Sequence, residues 1–168
     1  PVRTLQDMVR RISGVTLPAV EDGSEAHRGA TGPQIHLGRT QFVEGLALDL
    51  DARDKQHTVL KRVGDNLVIA CGGEQHLNRR GMGFAMSAFL MEVLDVHHYL
   101  PEKKGAKDPL WTIIPQNDTI AVGELSVEHT PDYLSRDFSL GAWVPERSDW
   151  MTRNQIAWGG RYHIPHNL

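Results

Sequence analysis

The feature that most constrains the fold is the apolar segment GMGFAMSAFLMEVLDVHHYL, residues 81–100. If this segment is helical, its hydrophobic side chains cover most of the circumference, which predicts a central, largely buried helix. Pro101 cannot continue a helix and is therefore expected to end it. A helix that is apolar on most sides needs cover from the rest of the chain, and strand patterns occur both before and after it.

The strand patterns predict the fold class. Residues 57–72, HTVLKRVGDNLVIACG, are typical of a hairpin that turns at residues 64–66. Upstream, FVEGLALDLD alternates leucines with Ala47 and Asp49, which predicts another strand. LWTII, TIAVGELSV and FSLGAWV predict further strands after the helix. We therefore expect an α+β fold in a single domain, with a mostly antiparallel sheet packed around one buried central helix.

The N-terminal region predicts a helix followed by an extended arm. TLQDMVRRI has helical apolar spacing and a capping-box-like start at Thr4 and Asp7, and Gly14 supplies a stop. Residues 14–33 contain few large apolar side chains and much Gly, Ala and acid. Such an arm is expected to be held either by its own domain or by another subunit. The predicted organisation is a helix and arm in residues 1–33, and a core domain with an irregular C-terminal tail in residues 34–168.

Composition excludes several classes of function. A chain of 168 residues fits one domain, and its formal charge of -3 gives no electrostatic case for nucleic acid or an anionic membrane. A single cysteine, Cys71, excludes an internal disulfide framework and a cysteine-based zinc cage. No secretion signal or membrane-spanning run is present in the sequence, so we expect a cytoplasmic or other intracellular location, without nucleic-acid or membrane partners.

Asp95 and His98 form the first candidate site. In a continuous helix they lie three residues apart and are neighbours, so the carboxylate could orient the imidazole as a general base. Ser87 is eleven residues from His98, or about 16 Å along a helix, which excludes a nucleophilic triad within the helix. The alternative is that Asp95 and His98 only stabilise the end of the helix. This alternative is favoured, because a histidine in the last helical turn is stabilised by the helix dipole.

The Gly-punctuated loop CGGEQHLNRRG, residues 71–81, is the second candidate. Arg79 and Arg80 precede the predicted helix, where free backbone amides can bind an anion. The spacing matches no specific phosphate-binding motif, so a structural connector is favoured. If the protein is an enzyme, its predicted catalytic residues are Asp95, His98, His76 and Glu74.

The nine histidines are scattered and show no metal-binding spacing, so neither a metal nor another cofactor is predicted. Two His-Thr dipeptides, at residues 57–58 and 129–130, are the closest to a pattern. Two-histidine phosphoesterases place one residue between His and Thr, whereas here none intervenes. In a strand this difference sends the two side chains to opposite faces, so that family is not indicated.

The aromatic residues concentrate late in the chain, in loop-rich sequence. Trp and Tyr are enriched at interface hot spots, although they also pack ordinary cores. The interface candidates are Trp143, Trp150, Trp158 and Tyr162.

Three functional hypotheses follow. The arm and the aromatic tail favour a structural subunit of a homo-oligomeric particle, ring or tube, including a virion component, whose partners are copies of itself or other protein subunits. The first alternative is a small histidine- and acid-dependent enzyme, of hydrolase or lyase type, with a cleft beside the central helix. The second is a small inhibitory binding module that uses its acidic arm against a basic target.

Overall fold

The structure, a computed structural model, describes residues 1–73, 79–99, 112–133 and 147–156. Its centre is a four-stranded sheet in the order β1-β3-β2-β6, and a second sheet pairs β4 with β5. Strand β1 runs parallel to β3, whereas the other neighbours are antiparallel. The strands are β1 (Ile35–Leu37), β2 (Thr58–Val63), β3 (Asn66–Cys71), β4 (His97–His98), β5 (Thr112–Ile113) and β6 (Ser126–His129). The fold is α+β in a single small domain, as the sequence predicts.

Helices surround this sheet. They are α1 (Val2–Ser13), α2 (Glu25–Arg28), α3 (Gln41–Glu44), α4 (Arg79–Glu92) and α5 (Arg147–Arg153), with a short 3-10 helix at Leu50–Ala52. One sheet face and the buried sides of α1 and α4 form the main core, in which Phe89, Leu60 and Ile69 are almost completely buried. The opposite face carries a smaller core around Val59 and Val68. Because side chains alternate along a strand, β2 and β3 supply both cores at once.

The predicted hairpin is confirmed, with β2 and β3 joined at Gly64 and Asp65. Gly64 has φ of 59°, a left-handed conformation that glycine adopts without steric cost. The predicted strand in FVEGLALDLD is wrong, because Thr40 caps the short helix α3 there through a hydrogen bond from the Val43 amide. Leu46 and Leu48 pack against the smaller core from irregular backbone, and Leu50 joins that core at the start of the 3-10 helix. The alternation of leucines in the sequence therefore reflects their burial and does not indicate a strand.

The central helix ends earlier than its apolar pattern predicts. Helix α4 stops at Glu92, and Asp95 adopts the left-handed conformation with φ of 56°. The amides of Leu94 and Val96 bond back to the carbonyls of Phe89 and Leu90, which closes the helix end. Both side chains stay buried beyond the helix, so the pattern continues after the helix has stopped.

Other boundaries also shift from the predicted ones. Helix α1 begins at Val2 with Pro1 as its N-cap, rather than at a capping box on Thr4, whereas Gly14 ends it in the left-handed conformation as expected. The strand predicted in TIAVGELSV is confined to β6. The strand predicted in FSLGAWV lies outside the described residues.

Residues 14–33, the arm, fold back onto their own domain. Leu17 packs against the main core, and its carbonyl accepts a 2.8 Å hydrogen bond from the Gln6 side chain. Asp22 accepts a 2.8 Å hydrogen bond from the Gln41 amide at the start of α3. The sequence left open whether the arm is held by its own domain or by another subunit. Contacts with its own domain are present in the structure. Among the described residues, no helix has the length and apolarity needed to cross a membrane.

Candidate functional site

In the ranges that the structure describes, three buried histidines are held in the same way, by a threonine hydroxyl at Nδ1. Each is between 3% and 5% exposed. The pairs are His36 with Thr40 at 3.1 Å, His57 with Thr130 at 2.6 Å, and His98 with Thr112 at 3.1 Å. Such a contact satisfies one ring nitrogen of a residue that would otherwise be costly to bury. The environments of His36 and His57 are the two that suggest chemistry.

His57 lies at the end of the sheet, where β2 and β6 meet. The register pairs Thr58 on β2 with His129 on β6. One residue beyond this pair, His57 therefore faces Thr130 on the neighbouring strand. Alternation then puts Glu128, two residues before Thr130, on the same face. Its Oε2 is 3.8 Å from Nε2 of His57, and that nitrogen makes no hydrogen bond within the described part of the chain. Two neighbouring strands thus bring a hydroxyl, an imidazole and a carboxylate together.

The electrostatic surroundings of His57 favour a neutral imidazole. Burial lowers its pKa, and the nearby Arg53 guanidinium lowers it further, against an opposing effect of Glu128. Arg53 also lies 3.7 Å from the Glu128 carboxylate and is half exposed. A neutral imidazole at neutral pH is able to accept a proton.

A cavity of about 400 Å³ lies between α1, the arm and β1. We call it the arm cavity. Leu5, Leu17 and Ile35 contribute apolar wall, and His36 is among its lining residues. A neighbouring cavity of about 360 Å³ lies beside the β2–β3 hairpin. It shares these three apolar residues and extends to Phe89 on α4. Volumes of this size match typical ligand sites, which span roughly 300–1,000 Å³.

His36 is the buried polar residue of the arm cavity. Its ring stacks on Phe42 with centroids 4.3 Å apart, and its Nε2 has no hydrogen-bond partner among the described residues. Burial is the largest cause that lowers its pKa, followed by the nearby His27, whereas Asp22 acts in the opposite direction. Thr40 already accepts a hydrogen bond from Val43 as the cap of α3. Its hydroxyl proton is therefore free to be donated to Nδ1, which leaves the ring proton on Nε2.

His27 and Asp22 add a second polar pair to the lining. The Gly23 amide donates to Nδ1 of His27 at 3.0 Å, which requires that nitrogen to be unprotonated. The Asp22 carboxylate lies 3.4 Å from the same nitrogen. An ion pair with Asp22 would need a proton on Nδ1 and would displace the Gly23 contact.

The predicted pair Asp95 and His98 is not assembled as expected. Asp95 bonds Nε2 of His97 at 2.7 Å, on the surface beyond the end of α4. His98 lies on β4 and points inward, where Thr112 holds it. The prediction that Asp95 and His98 are neighbours on one helix is wrong, because α4 ends before either residue. His97 instead stacks on Tyr99 with ring centroids 5.9 Å apart.

The start of the Gly-punctuated loop is packed tightly against residues 53–55. A Cβ at Gly72 would overlap the Asp54 carbonyl oxygen, and Gly73 has φ of 70°. Arg39 fixes the turn by donating to the Gly73 carbonyl at 2.8 Å. Cys71 is a buried core residue, and burial raises its pKa to about 11, so its thiol stays protonated.

Several other predicted site residues fall outside the described part of the chain. These are Glu74, His76, Trp143, Trp158 and Tyr162. Arg79 begins α4, and Arg80 follows it as an exposed residue. Trp150 lies on α5, where its indole nitrogen donates to the His98 carbonyl at 3.2 Å. That contact gives Trp150 a packing role within its own domain.

Sequence reasoning did not single out His36 or His57. The His-Thr dipeptides at residues 57–58 and 129–130 were the available signal, since the structure sets them antiparallel on adjacent strands. No comparable signal marked His36, whose partner Thr40 is also a helix cap.

Within the described ranges, no group of three His, Cys, Asp or Glu side chains is arranged to hold a metal ion. Comparison of the chain with protein-family models, curated proteins and solved structures finds no significant match.

Proposed function

We propose that the protein binds a small, mostly apolar molecule in the arm cavity, with His36 as the polar contact. The observation that supports this most directly is a cavity of about 400 Å³ lined mostly by apolar residues, with the buried His36 among its polar ones. Cavities with apolar walls and a few placed polar groups are the usual form of small-molecule sites.

The arm explains how such a ligand would enter and be retained. Residues 17–20 and Asp22 form one wall, and their contacts to described parts of the domain include a partly buried leucine and hydrogen bonds at Gln6 and Gln41. These contacts are few compared with those of a strand or a long helix, so the arm can open at lower cost than the sheet. Opening the arm would expose the buried Leu5 and more of Ile35, and closing it would restore this wall of the cavity.

The polar end of the site favours a neutral ligand. Burial lowers the pKa of His36 and so favours its neutral form, and the Asp22 carboxylate in the lining would repel an anionic group. The Nε2–H group assigned above is a hydrogen-bond donor. The preferred ligand is therefore an apolar body that carries one carbonyl, ether or aromatic nitrogen acceptor.

Binding can be tested with the neutral fluorophore Nile red, which is apolar and carries a carbonyl oxygen. Ala30 lines the arm cavity, and Ala30→Trp places a large side chain at that position. We expect this substitution to weaken Nile red binding at least tenfold in a fluorescence titration. His36→Phe keeps an aromatic ring but removes the donor, and should weaken binding about fivefold.

Ala52→Trp is the matched control, because Ala52 is also an exposed alanine but does not line either cavity. Its affinity for the dye should equal that of the unchanged protein. Equal binding by the Ala30→Trp and Ala52→Trp variants would show that the dye does not occupy the arm cavity and would contradict the proposal.

A second candidate is the structural subunit of an intracellular particle, ring or tube, or of a virion. The observation in its favour is a set of exposed apolar side chains at the rim of the arm cavity: Val2 at 42%, Val20 at 52% and Ile35 at 39% exposure. Exposed apolar groups that gather in one place favour contact with another protein surface.

Light scattering on a sizing column tests this second candidate. Assembly predicts a native mass many times the 18.8 kDa of the chain, and Val20→Asp should lower that mass. A monomer at high protein concentration would exclude self-assembly and leave the ligand-binding proposal unaffected.

A further inference from the structure

The group formed by Thr130, His57 and Glu128 lies on a different part of the sheet from the arm cavity and does not contribute to ligand binding there. Thr130 follows β6 and is exposed, whereas the His57 side chain beneath it is only 4% exposed. The hydroxyl is thus reachable from solvent, and the ring that contacts it is shielded. This combination suits a reactive oxygen with a buried base.

The contacts define which nitrogen of His57 carries the proton. The Glu128 carboxylate faces Nε2 and can only accept a hydrogen bond when ionised, which favours a proton on Nε2. Nδ1 is then the acceptor, and the Thr130 hydroxyl donates to it over 2.6 Å. In this tautomer the imidazole is positioned to take the proton of the hydroxyl.

The other two histidine–threonine pairs provide an internal comparison. Their nitrogen–oxygen distances are 3.1 Å, against 2.6 Å for His57 with Thr130. Thr40 and Thr112 are both partly buried, whereas Thr130 is exposed. Among the described ion pairs, Glu128 places a carboxylate 3.8 Å from the second ring nitrogen of His57. Proton acceptance, solvent access to the hydroxyl and an acid near the second nitrogen therefore coincide at His57.

We propose that Thr130 is a nucleophile for acyl transfer from carboxylic esters, with His57 as its general base and Glu128 as the residue that orients the imidazole. Attack by a hydroxyl on a carbonyl carbon requires its proton to leave as the new bond forms, and this is the role of a histidine held in such an arrangement. Glu128 is 3.8 Å from the ring, so a small movement of its side chain is needed to form the hydrogen bond.

The reaction balances with water as the second substrate. Thr130 Oγ1 bonds to the ester carbonyl carbon, and its proton moves to Nδ1 of His57. The tetrahedral intermediate then breaks its bond to the alcohol oxygen, and the departing alcohol takes that proton. Water attacks the threonyl ester as His57 accepts its proton. The bond from the acyl carbon to Thr130 Oγ1 then breaks, that oxygen takes the proton back from His57, and the free carboxylic acid leaves.

The test uses the full chain with p-nitrophenyl acetate as the probe. We expect a burst of p-nitrophenolate and the mass of one acetyl group on the peptide that contains Thr130. Thr130→Val keeps the side-chain shape without the hydroxyl and should abolish both signals, whereas Thr130→Ser should retain acylation. His57→Gln should lower the acylation rate about 100-fold, and Glu128→Gln roughly tenfold.

Thr112→Val is the matched control, since it removes the hydroxyl from an equivalent pair with His98. Its burst should equal that of the unchanged chain. The acylation rate should also fall as the pH is lowered and His57 becomes protonated. The charged or titratable groups that act on this ring are Arg53, Asp54, Glu128 and His129.

Thermal unfolding checks that each variant is folded. If folded Thr130→Val and Thr130→Ser both keep the unchanged burst, or if acetylation is confined to other residues, then Thr130 does not act as a nucleophile. His57 and Thr130 would then form a packing contact only, like the other two pairs.

Discussion

The attachment of the arm depends on Leu17, and its replacement by Ala gives the most direct test of the fold described here. Leu17 is partly buried against the main core and forms part of the wall of both cavities. Leu17→Ala removes the side chain beyond Cβ. At about 0.8 kcal/mol for each buried CH₂ group, the partly buried leucine should lose roughly 1.5 kcal/mol of unfolding free energy. For a chain of this length, that loss lowers the Tm by roughly 3–6 °C.

Urea denaturation measures the free energy, and trypsin cleavage after Arg28 reports opening of the arm. If the arm detaches locally, a loss of about 1.5 kcal/mol increases its open fraction and the cleavage rate about tenfold. Leu48→Ala is the matched control, because Leu48 is also partly buried but packs against the smaller core. It should lose similar stability without faster cleavage at Arg28. Equal cleavage rates in both variants would refute the argument that Leu17 anchors the arm.

Two further predictions concern backbone packing and pH. Gly72→Ala should cost more than about 2 kcal/mol in urea denaturation, because the added Cβ overlaps the Asp54 carbonyl, whereas Gly123→Ala meets no atom and should cost little. A small loss at Gly72 would contradict the close approach. The folded-state pKa values of His36 and His57 lie below the ordinary 6.5, so the unfolded chain binds more protons. The contribution of these two histidines to the unfolding free energy should therefore be fully present above about pH 6.5 and fall on acidification. The fall should be shallower in His57→Gln, and an unchanged dependence of the unfolding free energy on pH would contradict this.

The sequence predicted the main elements where local pattern and tertiary contacts agree. The hairpin was predictable because Gly64 permits the turn and apolar residues fill both strands. The α+β class followed from the same strands and the apolar segment of α4. The end of α4 was not predictable, because Leu94 and Val96 remain buried after the helix has stopped. Apolar periodicity reports burial, and burial does not require that a helix continue.

The candidate sites were harder to predict, because each combines residues that are distant in sequence. His57 and Thr130 meet only through the pairing of β2 with β6, and no local spacing specifies that register. His36 was an unremarked residue until the fold put it in the lining of the arm cavity with Asp22 and His27. The pair Asp95 and His98 failed for the opposite reason, since helical spacing was assumed where the backbone has already turned.

The position of the arm has a consequence for solubility. Strand β1 lies at one edge of the sheet and contains three residues, Ile35–Leu37. Sheet edges with unpaired backbone groups can recruit strands from other molecules, and proteins limit this by keeping edges short or covering them. The arm and β1 line the same cavity, so opening of the arm makes this edge more accessible to other molecules. The Leu17→Ala variant should accordingly aggregate on storage sooner than its loss of unfolding free energy alone predicts.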